Sequence, residues 1–533
     1  MNQIKTQIKK QVVYARMTFK AQDMFFDRDF SWIGDWAGKR ALLTPKKEAI
    51  FDNMSKKHYS YEELNFRANQ LARVLMDKGI SKGDRVGMFS SNRIECVDLF
   101  LATAKLGAIL VPFNIRLSLN ELDYLIKKTT PSIFFYEEKL IEKVLEIKKL
   151  ELIPSNILIG ENSASNDPNT ASLMKKASSK NIERPKLNSE DPHLILFTGG
   201  TTGLPKGAVL PHRLIFWNSI NTIVSWGLKS DDVQPLMFPL FHTGGWNVLL
   251  VPIYHLGAKT ILMGDFDPME TLKIIEEEKC TIVIGVPTMF HMMMNLPQFA
   301  VSNFESVRVF ISGGAPCPVA IMEPYWEKGN FFKMGYGLTE VGPNNFYLPE
   351  NFIKKKPTSV GLPVFQCDAK IINTETNEIV KQGEVGELLL RGPHIFSGYW
   401  DEPEETKKTI EQDGWVHTGD LVMQDEDGFY YIVGRRKEMY ISGGENVYPV
   451  EIEEILFKHP AIDLAAVIGV PDEKWGEVGK VFLTLKPEKE IDIEEIREYL
   501  AERLGKFKVP KYYEIRDSLP TSATGKILKR ELE

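Results

Sequence analysis

A short segment in the middle of the chain has the residue types that bind polyphosphate. The apolar run 194–197 is followed by glycines, hydroxyl side chains and a lysine, namely Thr198, Gly199, Gly200, Thr201, Thr202, Gly203 and Lys206. Glycines let backbone N–H groups approach an anion, threonine hydroxyls donate to phosphate oxygens, and the lysine supplies positive charge. A polar turn after a strand has the same composition, so the segment alone leaves both interpretations open.

The spacing of the segment excludes the P-loop NTPases. Their loop requires GxxxxGK followed by Ser or Thr, whereas Lys206 lies between Pro205 and Gly207. A phosphate site here is therefore of another kind.

Four further motifs follow, and each is ambiguous alone. A lone tyrosine is often a core residue, an Asp after Thr-Gly is usual in turns, and a lysine in a polar segment is usually solvated. The motifs are GYGLTE (335–340), TGD (418–420), GRRKE (434–438) and PTSATGK (520–526). Together with the Gly/Thr segment, in this order, they resemble the adenylate-forming superfamily of acyl-CoA synthetases, luciferases and peptide-synthetase adenylation domains. The resemblance extends from about residue 61 onward.

The resemblance implies a two-step reaction on a small-molecule carboxylic acid. The carboxylate attacks the α-phosphorus of ATP, which gives an acyl adenylate and pyrophosphate, and the thiol of coenzyme A then displaces AMP. The implied ligands are ATP, Mg²⁺ and coenzyme A as co-substrate. Because both steps pass negative charge through crowded oxygens, we expect positioning and positive charge to supply most of the catalysis.

By resemblance, five residues carry the chemistry. Lys526 reaches the α-phosphate and the substrate carboxylate during adenylation, and Thr339 contacts the α-phosphate. Glu340 holds Mg²⁺, a hard cation that prefers carboxylate and phosphate oxygens. Arg435 reaches the ribose or a phosphate, and His242 lies near the carboxylate at the mouth of the acyl tunnel. A lone histidine on an apolar segment is otherwise more often a packed residue.

The same resemblance implies a nucleotide site. Tyr336 stacks on adenine, Asp420 accepts both ribose hydroxyls, and Ser312 precedes a segment whose backbone lines the adenine slot. The predicted metal ligands are Glu340 and Thr198. The predicted nucleotide-binding residues are Thr198, Gly199, Gly200, Thr201, Thr202, Gly203, Lys206, Gly313, Gly314, Ala315, Pro316, Gly335, Tyr336, Gly337, Thr339, Asp420, Arg435 and Lys526.

The acyl group is expected against four residues, His242, Trp246, Gly313 and Gly337. Trp246 stands where fatty acyl-CoA synthetases can carry an aromatic gate to the acyl tunnel, although a tryptophan on an apolar segment is also typical of a core.

A hinge and a coenzyme A site are implied near the carboxyl end. Lys437 occupies the hinge position, about which the C-terminal domain swings between the two half-reactions. Gly443 and Gly444 then approach the coenzyme A arm with their backbone, and Trp475 packs on pantetheine.

The substrate is predicted to be a fatty acid of medium to long chain. Gly199 replaces the serine of many members, as in some fatty acyl-CoA synthetases, and Gly443 stands where plant-type aryl-CoA ligases carry lysine. The alternatives are an aryl, short or branched acid, a stand-alone adenylating enzyme that passes acyl groups to a carrier protein, and a luciferase-like oxidase. A non-catalytic phosphate-binding regulator would be expected to lack Lys526 or Glu340, and both are present.

The elements that position these residues have an α/β pattern, in which apolar strand-like runs alternate with helix-like stretches. Strands are predicted at 194–197, 260–263, 281–286 and 308–312, and a crossover helix at 269–278. The segment 161–180 is rich in Ser, Asn and Lys and is predicted to be a solvated loop. Ile493, Ile496, Leu500 and Leu504 fall at helical spacing and predict an amphipathic helix.

The fold class implied by the resemblance is α/β. It has a large N-terminal domain of two α/β subdomains with a small β-barrel, and a small mobile C-terminal α+β domain. The predicted boundaries are residues 1–434 for the N-terminal domain, 435–437 for the hinge and 438–533 for the C-terminal domain.

Composition limits the partners. The 533 residues contain 65 Lys and Arg against 72 Asp and Glu, a formal net charge of −7 that argues against nucleic acid as a partner. The four cysteines have no metal-binding spacing, and their dispersed positions suit a reducing cytoplasm. Neither a signal peptide nor a membrane-spanning run is predicted. Peripheral membrane contact and a homodimer stay open.

Overall fold

The computed structural model describes residues 30–149, 153–161, 165–198, 205–522 and 525–532. The chain divides into two compact units. The first comprises the described parts of Met1–Ala49 and His58–Phe216, with Tyr399–Asp401, and the second comprises Ile50–Lys57, Trp217–Gly398 and Glu402–Glu533. Within the described ranges, no helix has both the length and the apolar character that a bilayer crossing requires.

The first unit is built on a six-stranded sheet. Its strands, in spatial order, are Asn156–Ile159, Ile133–Glu137, Arg85–Phe89, Ile109–Pro112, Pro192–Thr198 and Lys206–Pro211. The first five are parallel and the last is antiparallel to its neighbour. The α-helices that begin in this unit are Trp36–Leu43, Tyr61–Asp77, Ile94–Leu106, Leu119–Thr129, Ile141–Lys149, Thr170–Lys176 and His212–Trp226, and Glu138–Leu140 is a 3₁₀ turn.

Helix starts in this unit follow local capping chemistry. Ser60 and Glu63 form a capping box at the start of Tyr61–Asp77, and Ser118 and Glu121 form one at Leu119–Thr129. The second helix then buries Leu122, Leu125 and Ile126 in a core that also contains Phe89, Val111, Phe134 and Leu158 from the strands.

The prediction that 161–180 is a solvated loop is wrong for part of the segment. Residues 162–164 lie outside the described ranges, but Thr170–Lys176 is a helix. The Asn169 side chain accepts from the Ser172 N–H at 2.8 Å, and Met174 is buried. Gln70 donates to the Met174 carbonyl at 2.9 Å. Tertiary hydrogen bonds therefore stabilise a helix that is too short to have a clear sequence period.

The second unit contains parallel strands, a curled half-barrel and a C-terminal sheet. Its parallel strands are Glu48–Asp52 (through its last three residues), Lys259–Leu262 and Val233–Leu236, and then Ile282–Gly285, Val309–Ser312 and Phe331–Met334. Lys57–Ser60 is a further short strand at the unit boundary. The helices here are Leu250–Leu256, Pro268–Glu277, Pro287–Met294, Pro297–Val301 and Val319–Glu327, with a π-helical turn at Gly244–Val248 and a 3₁₀ turn at Glu350–Phe352.

The predicted small barrel is present as a half-barrel of six antiparallel strands. In spatial order they are Phe346–Tyr347, Ser359–Pro363, Tyr430–Arg435, Val416–Gln424, Gly386–Arg391 and Asp368–Ile372, and the helix Pro403–Thr409 lies between two of them in sequence. Register shifts interrupt three of the pairings. Such bulges bend a sheet and increase its twist.

The last part of the second unit has its own core. Its strands, in spatial order, are Glu445–Val447, Tyr440–Ser442, Gly476–Leu485 and Ile462–Asp472, and Tyr512–Ile515 also pairs with Gly476–Leu485. Its helices are Pro449–Leu456 and Ile493–Ala501, with 3₁₀ turns at Lys506–Lys508 and Lys529–Glu531. The predicted amphipathic helix is confirmed, with Ile496 and Leu500 buried, but it ends before Leu504. The predicted domains 1–434 and 438–533 and the predicted hinge 435–437 stay predictions.

A stacked pair of buried histidines makes the first unit sensitive to acid. The rings of His193 and His212 lie 4.9 Å apart, and burial, followed by the charges of Arg184 and Lys82, lowers the pKa of His212 to about 3. In the unfolded chain a histidine has a pKa of about 6.5. Below that pH the unfolded chain therefore binds a proton that the folded chain excludes, and stability falls as the pH drops.

We expect His212→Gln to flatten this dependence. Between pH 7.5 and pH 5, the free energy of unfolding of the native protein should fall by about 2 kcal/mol more than that of the variant. Urea unfolding at the two pH values measures the difference. His58→Gln, at an exposed histidine, is the control for the removal of one histidine. An identical slope for His212→Gln would contradict the assignment.

Candidate active site

Residues from four of the predicted motifs line one cavity in the second unit. The cavity has a volume of about 170 Å³. Its lining includes Gly314, Ala315, Pro316, Gly335, Tyr336, Gly337, Asp420, Arg435, Glu438 and Lys526, together with Pro287, Thr288 and His291. Residues as far apart in sequence as Pro287 and Lys526 therefore meet at one place.

The parallel strands explain why residues 314–316 and 335–337 lie together in the cavity lining. Ile282–Gly285, Val309–Ser312 and Phe331–Met334 end at the same edge of their sheet. The Gly313 N–H donates to the Gly285 carbonyl at 3.0 Å, and the Gly335 N–H donates to the Ser312 carbonyl at 2.7 Å. The loops that follow these strands consequently lie side by side, which is the usual position of a ligand site in an α/β sheet.

A buried carboxylate connects the parallel strands to the half-barrel. The Tyr336 hydroxyl donates to Asp420 Oδ2 at 2.6 Å, and Arg435 Nε lies 3.1 Å from Asp420 Oδ1. Asp420 and Arg435 face each other across adjacent antiparallel strands, and the Asp420 side chain is 4% exposed. Burial and the Asp420 charge hold the pKa of Tyr336 well above its usual value, so the hydroxyl stays a donor. Each carboxylate oxygen keeps a lone pair for a further hydroxyl.

Lys526 enters the same cavity beside charges of both signs. Burial, and next the charge of Arg435, lower the pKa of Lys526 to about 8, while Glu438 and Asp420 oppose the shift. Ser522 and Lys526 exchange two hydrogen bonds, from Ser522 N–H to the Lys526 carbonyl at 2.7 Å and from Lys526 N–H to Ser522 Oγ at 3.0 Å. This hydrogen-bonded turn carries Lys526. With a pKa of about 8, the Lys526 side chain is mostly protonated at neutral pH.

His242 lies outside the lining of this cavity, but the charge of Lys526 acts on it. Burial, followed by the charge of Lys526, lowers the pKa of His242 to about 4. Its Nδ1 accepts from the Gly244 N–H at 3.0 Å, so the neutral ring carries its proton on Nε2. Trp246 follows on the π-helical turn and is fully buried. A single π-helical turn is often found at functional sites.

Other predicted residues lie outside the cavity lining. Thr339 is buried, and the Glu340 carbonyl accepts from the Phe396 N–H at 2.8 Å. The Glu340 charge still acts on Arg435. No group of three or more His, Cys, Asp or Glu in the described parts of the chain would hold a metal by itself. Glu340 fits Mg²⁺ in the usual way for that ion, as one carboxylate that acts together with phosphate oxygens.

The Gly/Thr segment is only partly described. Thr198 ends its strand and Lys206 begins the next one, with its ammonium 5.4 Å from the centre of the Tyr399 ring. Gly199, Gly200, Thr201, Thr202 and Gly203 lie outside the described residues. Their phosphate-binding role stays a prediction.

The predicted coenzyme A residues meet away from the cavity. Gly443 and Gly444 form the two-residue turn of a hairpin, with φ of +61° and +91°, and the Gly443 N–H donates to the Trp475 carbonyl at 2.8 Å. The Trp475 side chain is 47% exposed. Lys437, the predicted hinge, is exposed two residues after the strand that ends at Arg435.

Several lining residues have no role assigned from the sequence, among them Glu438, Lys529, Thr288 and His291. Glu438 belongs to the GRRKE motif, and Lys529 lies 3.5 Å from it. Thr288 and His291 are on the helix Pro287–Met294. In the sequence, Thr288 and His291 stand out as two polar side chains three positions apart in an otherwise apolar helix.

The two hairpin glycines differ in what a side chain would meet. A Cβ at Gly443 would lie 2.9 Å from Trp475 Cε3, whereas a Cβ at Gly444 would meet nothing within 4 Å. We expect Gly444→Ala to cost about 1–2 kcal/mol, the strain of a left-handed residue, and Gly443→Ala to cost more because Trp475 must also move. Urea unfolding measures both. Combining Gly443→Ala with Trp475→Leu should remove the excess cost, and equal costs for the two alanines would contradict the contact.

Comparisons with known proteins agree with this geometry. Residues 38–400 match the family model of the AMP-binding enzyme, and residues 451–526 match that of the AMP-binding enzyme C-terminal domain. The chain is 36% identical to a feruloyl-CoA synthase of Amycolatopsis sp., over 94% of this chain and 98% of that protein. It is 35% identical to a long-chain-fatty-acid–CoA ligase of Bacillus subtilis (strain 168), over 92% of each.

Solved structures give the same result. ATP-bound MatB from Rhodopseudomonas palustris superposes with a TM-score of 0.85 at 30% identity, over 94% of this chain and 98% of that one. The anthranilate CoA ligase AuaEII in complex with anthranoyl-AMP superposes with a TM-score of 0.86 at 27% identity, over 95% and 97%. The chain belongs to the AMP-binding enzyme family and, within the adenylate-forming superfamily, is an acyl-CoA ligase.

Proposed function

We propose that this ATP-dependent acid–CoA ligase activates a carboxylic acid as an acyl adenylate, with release of pyrophosphate, and then transfers the acyl group to coenzyme A with release of AMP. The observation that carries the proposal is the meeting of Tyr336, Asp420, Arg435 and Lys526 in one cavity. They come from four separate motifs and together provide a hydroxyl acceptor and two cations.

In the adenylation step, Asp420 accepts the ribose hydroxyls while Arg435 and Lys526 face the negative charge that builds up on the phosphate. Cations fixed in a dry site stabilise such charge more than water does, since they need no reorganisation during the reaction. His242 donates its Nε2–H toward the substrate carboxylate. Glu340 would hold Mg²⁺, which would supply positive charge opposite the phosphates, and Thr339 would contact the α-phosphate.

In the second step, we propose that the chain beyond the hinge at 435–437 swings and withdraws Lys526. Residues 1–434 and 438–533 then act as the two domains. Gly443, Gly444 and Trp475, already assembled in one hairpin contact, would receive the coenzyme A arm. The exposed indole provides an apolar surface for pantetheine.

For the acid we propose a fatty acid of medium to long chain. Support comes from the fully buried Trp246 at the expected tunnel entrance and from the long-chain-fatty-acid–CoA ligase relative. Gly443, in place of the lysine of plant-type aryl-CoA ligases, points the same way.

An aromatic acid is the second candidate, and one observation favours it. The turn that carries Trp246 is bordered by buried amides. Asn218 donates to the Asn247 carbonyl at 2.6 Å and Asn344 to the Val248 carbonyl at 2.8 Å. A polar border suits an acid with hydroxyl or methoxy groups, and a feruloyl-CoA synthase is among the relatives.

The proposal is tested by product analysis over a panel of acids. We expect AMP, pyrophosphate and an acyl-CoA thioester from ATP, coenzyme A and at least one acid among acetate to palmitate, benzoate, cinnamate and ferulate. Chromatography of nucleotides and thioesters measures all products. Formation of ADP, or no thioester with any acid, would show the proposal to be wrong, and the rank order of acids separates the two substrate candidates.

Lys526→Ala should separate the half-reactions. We expect acyl adenylate formation to fall about 100-fold or more, because the cation at the α-phosphate is lost. Thioester formation from supplied decanoyl adenylate and coenzyme A should be retained. Pyrophosphate exchange measures the first step and coenzyme A consumption the second. Lys506→Ala, at an exposed lysine nearby, is the control. An equal loss of both steps would rule out withdrawal of Lys526.

A further inference from the structure

The helix Pro287–Met294 contacts the C-terminal part of the chain at two points. His291 Nε2 lies 2.7 Å from Asp463 Oδ1, and Thr288 Oγ1 donates to the Gly525 carbonyl at 3.1 Å. Thr288 and His291 are three residues apart and therefore share one face of the helix. Both also line the cavity that contains Lys526.

The strand that carries Asp463 has a β-bulge at this residue. The strand Ile462–Asp472 pairs with Gly476–Leu485, and the register shifts between Ile462 and Leu464. Asp463 is the extra residue of this bulge, and the Leu464 N–H donates to the Thr484 hydroxyl at 3.0 Å. A bulge re-aims a side chain, and here the carboxylate meets a histidine 172 positions away.

The second contact, between Thr288 and Gly525, is also a direct hydrogen bond. Gly525 has a φ of +79°, and a Cβ there would lie 2.6 Å from Thr288 Oγ1. Gly525 directly precedes Lys526. Thr288 therefore contacts the turn that carries Lys526, and His291 contacts the strand Ile462–Asp472.

We propose that Thr288 and His291, with Asp463 as partner, are positioning residues that dock the chain beyond the hinge in its adenylation orientation. The inference rests on the proposed function. In that orientation Lys526 shares the cavity with Asp420 and Arg435. The two contacts join segments on either side of residues 435–437, so they must break when the hinge turns. They therefore favour the first half-reaction over the second.

The test measures the two half-reactions separately in His291→Ala, Thr288→Val and Asp463→Ala. Pyrophosphate exchange with decanoate reports adenylation, and thioester formation from decanoyl adenylate and coenzyme A reports the second step. We expect adenylation to fall up to about tenfold in each variant, the usual weight of one hydrogen bond, with thioester formation unchanged or faster. Glu494→Ala breaks an exposed ion pair that does not bridge the hinge and should leave both rates unchanged.

An exchange of the two side chains and a protease assay distinguish loss of the contact from loss of folding. The double variant His291→Asp with Asp463→His restores the pair and should recover adenylation relative to either single change. Trypsin should cleave after the exposed Arg436 faster in His291→Ala than in the native protein. Equal loss of both half-reactions, or unchanged adenylation in all three variants, would overturn the inference. A native protein inactive with every acid of the panel would instead overturn the proposed function.

Discussion

The site depends on one interaction, the buried Asp420 carboxylate shared by Tyr336 and Arg435. A carboxylate that is 4% exposed is costly unless its charge is paired and its oxygens are hydrogen-bonded. Tyr336 supplies one bond from the end of a parallel strand, and Arg435 supplies the opposite charge from the neighbouring strand of the half-barrel. Arg435 is also the last residue of its strand, and the predicted hinge begins there.

Lys526 and Glu438 are further charged residues in the cavity that contains this carboxylate. The charge of Arg435 lowers the pKa of Lys526, whereas the charges of Glu438 and Asp420 raise it. Lys529 lies 2.7 Å from Glu453 and 3.5 Å from Glu438, so the segment that carries Lys526 is tied to the C-terminal part by its own ion pairs. A net charge of −7 is compatible with polyanionic ligands because a few placed cations, and not the overall field, face them.

Local patterns predicted most elements well. The strand 194–197 is observed as Pro192–Thr198, and the crossover helix 269–278 is observed as Pro268–Glu277 because Asp267 caps it and a proline begins its first turn. The prediction of a solvated loop over 161–180 is wrong where the segment forms a helix. That helix is only seven residues long, and it is hydrogen-bonded to Gln70, about 100 positions earlier. A short helix has too few turns to show a period, and a distant hydrogen-bond partner leaves no local signal.

The sequence by itself determined which chemical groups the protein has for adenylation, because motif residues and their order identify the family and the type of each side chain. Only the tertiary structure decided how those groups behave. A lysine pKa of about 8, a neutral histidine protonated on Nε2, and an aspartate turned by a bulge toward His291 all depend on neighbours far away in the chain. Desolvation and charge interactions act through space over a few ångströms, so they are set by packing and are absent from any local pattern of residues.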